Sequence, residues 1–182
     1  MKLRHLFFAC SGVFVMMFSL LLLVVIVFSD EEDGGSDGNL IYGGVSVSQE
    51  VLAHKPMLEK YAREYGIEEY LNVLLAIIQV ESGGTLEDVM QSSESLGLPP
   101  NSLSTEESIK QGCKYFSELL AAAETKGCDL NSVIQSYNYG GGFLDYVAGR
   151  GKKYTFELAE SFARDKSGGK KVTYTNPVAV EK

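Results

Sequence analysis

A basic face is what this chain lacks. Its 182 residues carry 16 Lys and Arg against 24 Asp and Glu, a formal net charge of −8. The acidic excess persists beyond residue 37, because the first 37 residues hold Lys2 and Arg4 against Asp30, Glu31, Glu32, Asp33 and Asp37. Phosphate recognition needs a cationic surface, so nucleic acid is excluded as the main partner; an uncharged saccharide is not. Metal-binding side chains are equally scarce. Two histidines and three cysteines show no ligand spacing, and His54 stands alone, so no metal or cofactor is expected. Cys113 and Cys128 would lie roughly 20 Å apart if one helix joins them, at about 1.5 Å per residue. A disulfide needs Cα atoms within about 7 Å, so free thiols are expected. No alternating strand pattern and no internal repeat is visible.

Charge is missing altogether from Leu6 to Phe28, a run long enough to cross a bilayer. Lys2, Arg4 and His5 precede it and Asp30 to Asp33 follow it, which places the N-terminus in the cytoplasm and the body outside. A cleaved signal peptide is the alternative, with small residues near Ser29; signal cores are usually shorter, about 7–15 residues. The expected organisation is a cytoplasmic tip and signal anchor over 1–29 and a flexible acidic, Gly-rich spacer over 30–47. A helical domain over 48–167 and a polar tail over 168–182 complete it.

With 45% hydrophobic residues the body can bury a real core. Val51, Met57, Leu58, Tyr61 and Tyr65 recur near helical spacing, with Pro56 kinking or restarting the helix and Gly66 ending it. Glu68 to Ser82 is apolar nearly all round, as a central buried helix would be. Residues 83–103 read as loop. Ser104 and Glu107 form a capping box that opens a helix to about Lys126, with Ile109, Cys113, Phe116, Leu119 and Leu120 inward. Asp129 or Asn131 caps a short helix ending near Gly140, a further short turn follows, and residues 154–166 form a last helix with Phe156, Leu158 and Phe162 inward. The fold class is mainly α.

Chemistry gathers in three segments. Glu81-Ser82 closes the apolar helix before Gly83-Gly84. Burial and the negative end of a helix both favour a protonated carboxyl, which a general acid needs. Asp88-Val89-Met90-Gln91-Ser92-Ser93-Glu94-Ser95 follows in the loop, and Gln135-Ser136-Tyr137-Asn138-Tyr139-Gly140 ends a later helix. Asp88 and Glu94 are candidates for a second carboxylate, or else solvated loop acids. Gln91 can donate to and accept from a sugar, or hold its own loop. Tyr137 and Tyr139 offer ring faces and phenols, and one of the two should face the core. Ser82 either bonds Glu81 or turns the chain; Asn138 either meets substrate or caps its helix.

These three segments together resemble the lysozyme-like superfamily of goose-type lysozymes and lytic transglycosylases. There a Glu-Ser pair carries the acid, and Gly-Leu-Met-Gln and Ala-Tyr-Asn-x-Gly segments line the sugar groove. The resemblance is nearest to the CwlT-type bacterial lysozyme domain of cell-wall hydrolases from Gram-positive conjugative elements, and covers about residues 48–165. It implies a lysozyme-like helical domain that cleaves the β-1,4 bond between N-acetylmuramic acid and N-acetylglucosamine in peptidoglycan. Glu81 would be the acid, and Ser82, Met90, Gln91, Ser92, Ser93, Tyr137, Asn138 and Tyr139 would lie along the substrate. Departures are plain: Asp88-Val89 replaces Gly-Leu, and Ser93 falls where goose-type enzymes have an aspartate. The cysteine-peptidase domain of many CwlT-type proteins is expected to be absent. A muramidase outcome is expected ahead of a lytic transglycosylase forming 1,6-anhydro ends. The further alternative is a non-catalytic peptidoglycan-binding or scaffold module. Partners implied are glycan strands, the membrane through residues 6–28, and conjugation or cell-wall machinery.

Overall fold

The computed structural model describes residues 40–42 and 45–167. Two short antiparallel strands, β1 (Leu40–Tyr42) and β2 (Val45–Val47), pair Leu40 with Val47 and Tyr42 with Val45. No strand was expected here; these residues fall in the segment read as spacer. The hairpin is tied to the body at its end. Val47 is fully buried, and the Ser48 backbone N–H donates to Gln79 Oε1 at 2.8 Å. A strand of three residues is too short to show alternation, which is why the pattern gave no warning. The expected membrane segment and the C-terminal tail lie outside the described residues. Among the described residues no helix is long and apolar enough to cross a membrane.

Among the described residues seven α-helices follow: α1 (Gln49–Ala53), α2 (Lys55–Glu64), α3 (Leu71–Glu81), α4 (Thr105–Lys126), α5 (Leu130–Tyr139), α6 (Gly142–Ala148) and α7 (Phe156–Lys166). Pro56 restarts the chain rather than kinking it: α1 stops at His54 and α2 begins with the proline in its first turn, where its missing N–H costs nothing. A 3-10 turn over Glu68–Tyr70 leads into α3, so the α-helix starts three residues later than its apolar pattern suggests. Val73 to Ile78 are all buried, which makes α3 the central helix. Helix α4 carries the expected capping box, the Ser104 N–H donating to the Glu107 carboxylate at 3.1 Å. It buries Ile109, Cys113, Phe116 and Leu119. Cys113 and Cys128 are free, as the helix length required.

A smaller aromatic cluster joins α6 and α7, built from Phe143, Val147, Ala159 and Phe162 with Tyr139, Tyr146 and Tyr154 against it. Leu158 is only partly buried and Phe156, in the first turn of α7, is exposed, so neither is the inward anchor that its position suggested. Asp129 caps α5 by accepting from the Ser132 N–H at 3.0 Å. The same carboxylate accepts from the Tyr154 N–H, which fastens the approach to α7 onto the start of α5.

Candidate active site

Helix α3 delivers Glu81 at its last residue, and the chain then turns sharply. Gly84 makes that turn possible: its φ is +77°, and a Cβ there would sit 2.7 Å from the backbone of Glu50 and Val51. His54 donates from Nε2 to the Gly84 carbonyl at 2.9 Å, so α1 braces the turn. Ser82 Oγ donates to the Val89 carbonyl at 2.7 Å and accepts from the Gly84 N–H at 3.0 Å. The serine thus staples the returning loop to the helix end, the chain-turning alternative of the two readings its position offered.

The loop is folded round a buried aspartate side chain. Asp88 has no exposed surface, and its Oδ1 accepts from the Ser92 N–H at 2.9 Å and from Ser108 Oγ of α4 at 2.6 Å. Its Oδ2 accepts from the Ser93 N–H at 3.2 Å. Ser92 Oγ donates to the Ser108 carbonyl, and the Met90 N–H donates to Ser108 Oγ. Helix α5 holds the other side, its Tyr137 phenol donating to the Met90 carbonyl at 3.0 Å. The packing leaves no slack: a Cβ on Gly112 of α4 would meet Met90 Sδ at 2.5 Å and the Tyr137 hydroxyl at 2.9 Å.

A groove of about 400 Å³ opens over this arrangement, and Glu81, Gln91, Ser92, Glu94, Tyr115 and the Tyr137–Gly140 turn lie along it. Among its lining residues there is no Lys or Arg. Burial pushes the Glu81 carboxyl up to about 8, helped by the nearby negative charges of Glu94 and then Asp88. Glu94 is exposed and is also raised, first by partial burial and then by Asp88. The Tyr137 phenol is held well above its ordinary range by burial, with the Glu81 charge adding to it. A protonated acid therefore faces a groove of phenols, amides and hydroxyls, an arrangement that can bind an uncharged polar ligand and give a proton to it.

The structure brings together Glu81, Gln91, Ser92, Glu94, Tyr137, Asn138 and Tyr139 from the sequence candidates. Ser82, Asp88, Met90 and Ser93 do not line the groove; they take part in the hydrogen bonds that hold its loop. Tyr137 is the more buried of the two tyrosines, and its hydroxyl is committed to the loop rather than turned to a ligand. Tyr139 also packs on the aromatic cluster, stacked on Phe162 at 5.7 Å. Tyr115 and Asn101 are among the contributors that were missed. Tyr115 sits beside the inward Phe116 on α4, and helical periodicity gives no reason to single it out. Asn101 bonds Gln91 from a loop whose only sequence signal was its turn-forming composition.

The lysozyme-like family model matches residues 48–182. The chain belongs to the lysozyme-like family. It is 44% identical over 131 residues to the bifunctional muramidase/DL-endopeptidase CwlT of Bacillus subtilis (strain 168), covering 71% of this chain and 38% of that protein. The Pneumococcal vaccine antigen A homolog of Streptococcus pyogenes serotype M3 is 36% identical over 140 residues, covering 72% of this chain and 70% of that one. A crystal structure of a Staphylococcus aureus subsp. aureus Mu50 protein, described as similar to lipoprotein of the NLP/P60 family, superposes with a TM-score of 0.73 at 73% identity. That match covers 75% of this chain and 46% of the solved one. The chain thus spans less than half the length of both the B. subtilis CwlT and the solved S. aureus protein.

Proposed function

We propose that this lysozyme-like protein is a peptidoglycan glycosidase that cleaves the β-1,4 bond between N-acetylmuramic acid and N-acetylglucosamine. The observation that carries this reading is Glu81, a carboxyl held protonated up to about pH 8 at the wall of a sugar-sized groove. In this mechanism Glu81 protonates the leaving glycosidic oxygen while an oxocarbenium-like centre develops on the muramic ring. Tyr115 and Tyr139 supply flat faces against the pyranose rings, and Gln91, Asn138 and Ser92 supply polar contacts.

Of the two candidates for a second carboxylate, Glu94 suits the task. It is exposed on the groove, whereas Asp88 is enclosed with three hydrogen bonds that already use its oxygens. Glu94 then steadies the developing cation or activates water, giving a muramidase, in keeping with the first activity in the name of the B. subtilis relative. The enclosure of Asp88 favours one second reading, a lytic transglycosylase in which the muramic 6-hydroxyl takes the place of water. Mass spectrometry of digested peptidoglycan separates them: reducing muramic ends support the muramidase, and 1,6-anhydro ends replace it with the transglycosylase.

The apolar run over residues 6–28 supports a location at the cell membrane with the groove outside, where peptidoglycan is found. There the enzyme serves local opening of the wall, beside conjugation or cell-wall machinery. Fractionation of cells tests this placement: recovery of the chain in cytosol would overturn it.

A further inference from the structure

Gln91 is held in a way that its position in the loop does not require. Its backbone lies in the left-handed region, φ +46° and ψ 39°, which is unfavourable for a residue that carries a Cβ. A glycine would relieve that cost, so the side chain has a use. Its Nε2 donates twice, to the Asp88 carbonyl at 2.7 Å and to Asn101 Oδ1 at 2.7 Å. A backbone carbonyl only accepts, so the atom facing it must be the amide nitrogen; the atom that Asn101 turns to Gln91 must in turn be its oxygen. Both donors of Gln91 are consumed. Its Oε1 is the polar atom left for the groove, and among the described residues nothing donates to it.

We propose that Asn101 is a positioning residue for Gln91, locking its amide so that the groove presents a fixed hydrogen-bond acceptor, and that this acceptor takes the N–H of a substrate acetamido group. The proposal deepens the glycosidase reading and rests on it for the sugar. Leu98, on the same loop, is exposed and lines the groove. In a trans acetamido group the N–H and the methyl lie on one side, so an acceptor and an apolar side chain along one groove suit it better than they suit a hydroxyl. Asn101 reaches Gln91 from a turn where its own φ is +59°.

That positive φ supplies a discriminating test. If Asn101 is present only because asparagine tolerates a left-handed backbone, Asn101→Gly is harmless or better. If its Oδ1 is what matters, Asn101→Asp, whose carboxylate also accepts the Gln91 N–H, preserves function and Asn101→Gly does not. Both variants of the full chain in detergent are compared with wild type for kcat and KM on solubilised peptidoglycan, and for Kd with N-acetylchitotetraose. The expected result is a rise of about fivefold in KM and Kd for Asn101→Gly, with kcat and Tm nearly unchanged, and values within twofold of wild type for Asn101→Asp. Wild-type KM and Kd in Asn101→Gly, or equal losses in the two variants, overturn the proposal. So does a wild-type chain that binds no chitotetraose. Failure of wild type to cleave peptidoglycan, with the order of Kd intact, removes the glycosidase reading and leaves the positioning role standing.

Discussion

Glu81 keeps its proton because the end of α3 is enclosed and because the two charges nearest it are also negative. The proton-loaded form is the working form of a general acid, so turnover should fall as pH rises through about 8, a limb read directly from kcat/KM against pH. Glu94→Gln removes the neighbouring charge that acts more strongly on Glu81 and should move that limb to lower pH. Stability carries the same sign. The folded protein holds a proton on Glu81 between about pH 4.5 and 8 that the unfolded chain has released, so stability is lost as pH rises across that window. Glu81→Gln should therefore raise Tm at pH 9 by about 3 °C or more and change it little at pH 4, measured by calorimetry. A Tm gain at pH 9 no larger than that at pH 4 would mean that the carboxyl is not strained in the fold. At this scale the sequence was legible for Glu81, whose apolar approach foretold its protonation. It was not legible for Asp88. A loop aspartate looks the same in a sequence whether it meets substrate or accepts bonds from Ser92, Ser93 and Ser108, because those partners lie up to twenty residues away.

At the scale of elements, the groove is held open by a loop that three helices grip at separate points. Ser82 takes the Val89 carbonyl, Ser108 takes the Met90 N–H and the Asp88 carboxylate, and Tyr137 takes the Met90 carbonyl. Asp88→Ala would leave two buried N–H groups and a hydroxyl without their acceptor and should cost about 2–4 kcal/mol in a urea unfolding experiment. Tyr137→Phe loses one bond and should cost about 1 kcal/mol. Gly112→Ala forces Met90 and Tyr137 apart and should cost about 1–3 kcal/mol, with a loss of activity beyond that from instability, since the displaced atoms underlie the groove. A fully active and stable Gly112→Ala would contradict the tight packing of α4 on the loop. Helices were legible from capping and periodicity, as the Ser104–Glu107 box of α4 and the Pro56 restart of α2 illustrate. The grip on the loop was not, because each of its bonds joins elements distant in the chain.

At the scale of the whole molecule, a mainly helical lysozyme-like domain followed from the apolar α3, the length of α4 and the three spaced motifs, and the family match confirms it. The β1–β2 hairpin was hidden because its three-residue strands lie among Gly, Asp and Ser, and runs that short carry no readable alternation. The central claim is that Glu81 protonates a glycosidic oxygen of peptidoglycan. Purified sacculi should be digested with wild type and with Glu81→Gln, and the released muropeptides counted and weighed by mass spectrometry. The account predicts muropeptides with reducing muramic ends from wild type, and a rate about 10²–10⁴-fold lower from Glu81→Gln with binding to the sacculi retained. Equal release by the variant, or no release by a folded wild type that binds the sacculi, would contradict it.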